Sequence, residues 1–211
     1  MKTAGPSKAE TAELELFVGL PLAQILVPVT DAEFAAAAAE ILACGVVGFD
    51  TESKPTFAAG EASEGPHIVQ FATQDKAFIF QLHRPECRPH LVALLQSERL
   101  LKVGFGLQSD RGQIQHKLGV RMGAVLDLNS VFSARGYRGS MGVRAAVGVV
   151  FEQRFHKSKK VTTSNWALPQ LSPRQLLYAA NDAFAALRVL TALDLPRESL
   201  PITGLASERG G

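Results

Sequence analysis

Cysteine is scarce in this chain, and the two that occur stand apart. Cys44 and Cys87 form no CxxC pair and no cluster with histidine. That excludes a disulfide framework and a structural zinc site, and makes a reducing, cytoplasmic setting the expected one. The opening stretch MKTAGPSKAETAELELF has no apolar h-region, so it does not read as a secretory signal. No apolar run reaches the roughly 18 residues that a membrane span needs, and no membrane partner is expected. Internal repeats are missing. The glycines of GFGLQS (104–109) lack the third glycine and the lysine that a phosphate-cradling loop requires.

What is present suits one α/β domain. The chain has 211 residues, 46% of them apolar and 20% charged. The polar start reads as a flexible arm over 1–20. The domain is expected over 21–195 and a loop-like tail over 196–211, frayed at its closing Gly-Gly. The small net charge of +2 hides an asymmetry. From Arg135 to Lys160 seven Lys or Arg face one acid, Glu152, giving +6 there and −4 elsewhere. Such a basic stretch fits either a polyanionic partner or a solvated loop.

Periodicity and punctuation set out the elements. ILVPV (25–29) is a short extended piece. Thr30 with Glu33 is a capping box opening an alanine-rich helix to about Ala43, stopped by Gly45. VVGFDTE (46–52) is an apolar strand of central type. HIVQFAT (67–73) and KAFIFQL (76–82) are strands joined by a hairpin, and 53–66 is a loop. Pro89 begins a helix to about Ser97. LKVGFG (101–106) is a strand followed by a helix over 109–117. AVLDL (124–128) is strand-like and leads into a short helix, and 140–150 is another. The basic segment 152–170 reads as a loop. Ser172-Pro173 opens a long helix to about Leu193. The order implies one mixed sheet, its first three strands antiparallel and the rest parallel, with helices on both faces.

Four acids in three places carry the chemistry. Asp50 and Glu52 sit at i and i+2 on a strand, so both point to one face. Tyr178 and Asp182 sit at i and i+4 on the last helix and share its inward face. Asp110 lies just after the strand KVGFG, near a helix N-terminus. Each has an ordinary explanation by itself: a solvated strand end, a core tyrosine, a helix-starting acid. Carboxylates gathered in one pocket repel one another unless cations join them. The conjunction of all three therefore points to a metal site.

FDTE, GFGLQSD and YAANDA, in that order, resemble the three motifs of the DEDD exonucleases. Tyr178 stands four residues before Asp182, and Leu177 occupies the place where the histidine class carries its histidine. The resemblance is thus to the tyrosine class, of which ribonuclease D and the Werner-type exonucleases are branches. HKSKKVTTSNWALPQLSPRQLLYAANDAFAALRVL is most similar to the Werner type. The resemblance covers about residues 25–193.

It implies a ribonuclease H-like fold and a 3′→5′ exonuclease that releases nucleoside 5′-monophosphates from single-stranded DNA or RNA 3′ ends; the alternatives are a nucleic-acid-binding module without activity and a phosphodiesterase for short oligonucleotides. The length leads us to expect a stand-alone catalytic core. Two divalent cations, Mg²⁺ or Mn²⁺, would serve the reaction. Asp50 would bridge both, Glu52 and Asp182 would hold the one at the attacking water, and Asp110 the other. Tyr178 would orient the water. Lys157, Lys159 and Lys160 would meet phosphates. Thr51, Gln70 and Phe71 are expected to line the terminal nucleotide. Trp166 is expected in the core. Ser53 stands where many relatives carry a larger side chain against the terminal base.

Overall fold

Side chains along a strand alternate between its two faces, and in VVGFDTE that alternation sets the centre of the fold. The computed structural model describes residues 3–56 and 63–206. In chain order the strands are β1 (Thr3–Ala4), β2 (Ile25–Leu26), β3 (Val46–Glu52), β4 (Ile68–Ala72), β5 (Ala77–Gln81), β6 (Leu101–Gly104), β7 (Val125–Asp127) and β8 (Tyr137–Arg138). The helices are α1 (Asp31–Cys44), α2 (Cys87–Gln96), α3 (Gln108–Leu118), α4 (Leu128–Ala134), α5 (Gly142–Phe151), α6 (Lys159–Thr162) and α7 (Pro173–Leu193). Six strands form one sheet in the order β2-β5-β4-β3-β6-β7. β4 runs antiparallel to β3 and β5, while β6 and β7 run parallel to β3.

β3 lies inside this sheet, between β4 and β6. Val47 and Phe49 enter the apolar layer beneath α1 and α2, with Phe34, Ile41, Leu91 and Leu94. On the opposite face α7 spans the sheet. Its Ala179, Ala180 and Ala183 pack with Ile68, Ala72 and Ile79, and Ala185, Ala186 and Val189 pack with Leu101, Val103 and α5. α7 is long and apolar enough to cross a membrane by length and composition; here its apolar face covers the sheet. Small residues let it approach closely. A side chain on Gly48 would overlap the Ala183 carbonyl.

The predicted capping box of Thr30 with Glu33 is present, and Gly45 closes α1 in the left-handed conformation. The predicted N-cap Ser172 with Pro173 is present too, and Gln175 completes a capping box there that was not foreseen. α2 begins at Cys87, two residues before Pro89. The first-turn amides of a helix have no partner within it, so proline is tolerated there as well as at the first position. α6 is a short helix inside the segment expected to be loop. Thr162 N and Oγ1 both donate to Ser158 O, at 3.0 and 3.1 Å.

The segment before residue 21, expected as a flexible arm, makes defined contacts. β1 pairs with β8, and Phe17 packs its ring on Phe151, Phe155 and Phe184. Leu20 N donates to Asn181 Oδ1 at 2.7 Å, tying the segment to α7. In the tail, Thr203 bridges to Val125 at the edge of β7. The middle of the loop expected over 53–66 and the closing Gly-Gly fall outside the described residues.

Gly48→Ala should destabilise the fold by about 3 kcal/mol, the upper range for overpacking, because backbone cannot yield as a side chain can. Thermal unfolding measures it. An unchanged midpoint would show that α7 does not rest on β3 in this way.

Candidate active site

The acids meet because alternation and helical period are both obeyed. With Val47 and Phe49 directed to one face of β3, Asp50 and Glu52 are directed to the other, under α7. Asp182 stands one turn after Tyr178 on the inward stripe of α7. Carboxylate oxygens of Asp50, Glu52 and Asp182 all lie within 4.8 Å of one another. Asp110, in the first turn of α3, joins from the side. It accepts a short hydrogen bond from Thr51 Oγ1 and one from Ser109 Oγ at 3.3 Å. Asp50 and Glu52 are half-buried, whereas Asp110 and Asp182 are buried.

Such crowding disfavours full ionisation. Burial, then Asp110 and Asp182, push the Asp50 carboxyl well above its ordinary range. Burial, with Asp50 next, pushes Glu52 up to about 9. Asp110 and Asp182 are raised as well, chiefly by burial. Lys157 Nζ lies 2.6 Å from Asp182 Oδ2, and Lys157 and Tyr178 both temper the rise at Asp182. Three carboxyl groups converging this closely are a donor set for a hard divalent cation. The residues fit that role.

Tyr178 is half-buried. Its hydroxyl is 2.8 Å from Thr162 Oγ1, and burial and then Asp182 raise it to about 12. Lys157 Nζ sits 5.3 Å from the centre of its ring. Trp166 is fully buried, its ring 5.9 Å from that of Tyr178, and Nε1 donates to Thr162 O at 3.3 Å.

The remaining expected residues divide. Lys159 and Lys160 are exposed on α6, while Lys157 turns into the acid cluster. Thr51 is engaged with Asp110, so its hydroxyl braces an acid. Gln70 pairs in register with Asp50 on β4 and is fully buried, with neither amide atom hydrogen-bonded. Phe71 does not reach the cleft. It is fully buried among Phe49 and Phe80 on the α1 side, because one step along a strand reverses the face. Ser53 Oγ donates to Gln113 Oε1 at 2.6 Å. The GFG turn is held by Asp127, whose carboxylate accepts from Gly106 N and Leu107 N, each at 3.0 Å. Thr162 was not foreseen as a site residue. Its only signal was proximity to Trp166 and the lysines.

Glu52 has a pH signature. Its folded pKa is raised from 4.5 to about 9, so between those values the folded protein holds a proton that the unfolded chain releases. Its contribution therefore falls as pH rises. Buried Lys102, lowered to about 7 by burial, acts with the opposite sign, so the measurement must be differential. Without metal, the parent should lose stability relative to Glu52→Gln as pH goes from about 5 to 9 in thermal unfolding. A difference that does not change with pH would contradict the crowding.

Comparison with known proteins agrees with this geometry. The family model described as 3′-5′ exonuclease matches residues 26–196. A 3′-5′ exonuclease of Arabidopsis thaliana is 30% identical over 156 residues, 71% of this chain and 53% of that protein. The bifunctional 3′-5′ exonuclease/ATP-dependent helicase WRN of Mus musculus is 27% identical over 150 residues, 70% of this chain and 11% of that protein. The chain thus spans about half or less of these relatives. Among solved structures, the Trypanosoma brucei RNase D complex with RNA U12 superposes with a TM-score of 0.72 at 20% identity, covering 88% of this chain and 67% of that one. The fold is ribonuclease H-like, and the chain belongs to the DEDD family of 3′-5′ exonucleases, hydrolytic enzymes whose metal-dependent chemistry its clustered acids fit.

Proposed function

We propose that this exonuclease removes nucleoside 5′-monophosphates from single-stranded nucleic acid with two divalent cations, Mg²⁺ or Mn²⁺, and that it is of the tyrosine class. The observation that carries the reading is the convergence of Asp50, Glu52 and Asp182 within 4.8 Å beside Tyr178. Asp50, Glu52 and Asp182 would hold the cations, with Asp110 as an outer ligand. Cations held there supply charge for the phosphate and acidify bound water to a pKa near 7. All-oxygen ligands suit Mg²⁺ or Mn²⁺.

Burial, then Asp182, pushes the Tyr178 hydroxyl up to about 12, so Tyr178 keeps its proton at neutral pH. It orients the attacking water and does not serve as the base. Thr162, fixed on α6, holds that hydroxyl in place. Exposed Lys159 and Lys160 would meet backbone phosphates, a contact indifferent to sequence and weakened by salt. The solved RNase D complex with RNA supports a nucleic-acid strand as substrate.

On single-stranded RNA and DNA labelled at the 5′ end, with Mg²⁺ or Mn²⁺, a ladder should shorten from the 3′ end. It should vanish with EDTA or in Asp50→Ala. No shortening of either polymer with metal bound would contradict the reading and favour a binding module. Tyr178→Phe should lower the rate by about a hundredfold, the lower range for a positioned catalytic group. Calorimetry should find its metal affinity unchanged, and loss of metal binding would overturn the positioning role.

A further inference from the structure

We propose that Lys157 is a stand-in cation: its ammonium holds the Asp182 side of the cluster while metal is absent, and metal loading expels it toward the phosphates of the substrate. The proposal rests on the reading of Asp50, Glu52 and Asp182 as cation ligands.

Two observations place the ammonium in a cation's seat. Lys157 Nζ is 2.6 Å from Asp182 Oδ2, and the Asp182 side chain is only 3% exposed. The same Nζ lies 5.3 Å from the centre of the Tyr178 ring, a position that a positive charge favours.

Lys157 can leave. It belongs to the irregular stretch between α5 and α6, and its side chain is 31% exposed. Its four-carbon stem turns without disturbing a helix. A divalent cation on Asp182 would meet the ammonium at contact distance, and two like charges cannot share that seat at low dielectric. Lys159 and Lys160, exposed nearby on α6, mark the side on which phosphates are met. Lys157 is thus a positioning residue that keeps Asp182 and Tyr178 together before metal arrives.

A structural ion pair and a stand-in cation make opposite predictions for metal affinity. If Lys157 only supports the fold, its loss leaves affinity equal or weaker. If it competes, its loss strengthens binding, by reciprocity of linked equilibria. Calorimetric titration with Mn²⁺ alone, in the absence of nucleic acid, should show Lys157→Met binding about tenfold tighter than the parent, within the usual span of such couplings. Lys157→Arg, which keeps the charge, should stay near the parent value. Equal or weaker binding by Lys157→Met overturns the proposal.

A second arm uses the parent protein and does not depend on the variant folding. Mn²⁺ should speed amine labelling of Lys157 several-fold while leaving Lys159 and Lys160 unchanged, and unchanged labelling at Lys157 overturns the proposal. A parent that binds no Mn²⁺ overturns this inference together with the proposed function. A parent that binds Mn²⁺ and shows both effects but cleaves no strand upholds the inference and sinks only the nuclease reading.

Discussion

Repulsion among four carboxylates in one cleft is the constraint around which this protein is organised. Asp50, Glu52 and Asp182 stand close enough to share a cation, and burial raises the charged form of each in free energy. An isolated cluster of this kind would fly apart or protonate. It survives because each acid is fixed to an element that apolar packing holds in place. Phe49 and Val47 anchor one side of β3. The alanines of α7 anchor the other acid from above, at a distance that Gly48 makes attainable. The stability of the core is what supports a locally unfavourable site, a common arrangement in enzymes.

The same constraint explains the polar details around the acids. Thr51 and Ser109 donate hydroxyls to Asp110, and Lys157 offers its ammonium to Asp182. These contacts limit the repulsion among the acids, and Tyr178 adds to them at Asp182. Each carboxylate has more lone pairs than one donor occupies. Thr162 extends the pattern to Tyr178, whose hydroxyl it meets at 2.8 Å and whose pKa burial raises. The short helix α6 thereby links the exposed lysines to the hydroxyl beside the acids.

Much of this was legible in the sequence, and the reasons are local. The capping box at Thr30 and the N-cap at Ser172 depend only on near neighbours in the chain, and both formed. The shared faces of Asp50 with Glu52 and of Tyr178 with Asp182 follow from strand and helix periods alone. Phe71 was misplaced although the same period two governs it. If Gln70 lies opposite Asp50, its neighbour must face away. What stayed hidden depends on long-range pairing. Nothing in DTES announces that Thr51 would brace Asp110, and nothing in HKSKK separates Lys157, turned inward, from Lys159 and Lys160, turned out. The amino-terminal segment was similar. Its polar composition reads as an arm, yet Phe17 and Leu20 find partners on α5 and α7 that only the finished fold supplies.

The central claim is that the gathered acids exist to hold two cations. The most direct measurement is anomalous diffraction from crystals grown with Mn²⁺. The account predicts two peaks in the cleft, which Asp50, Glu52, Asp182 and Asp110 would hold. An empty cleft at millimolar Mn²⁺, with Lys157 still seated on Asp182, would contradict it.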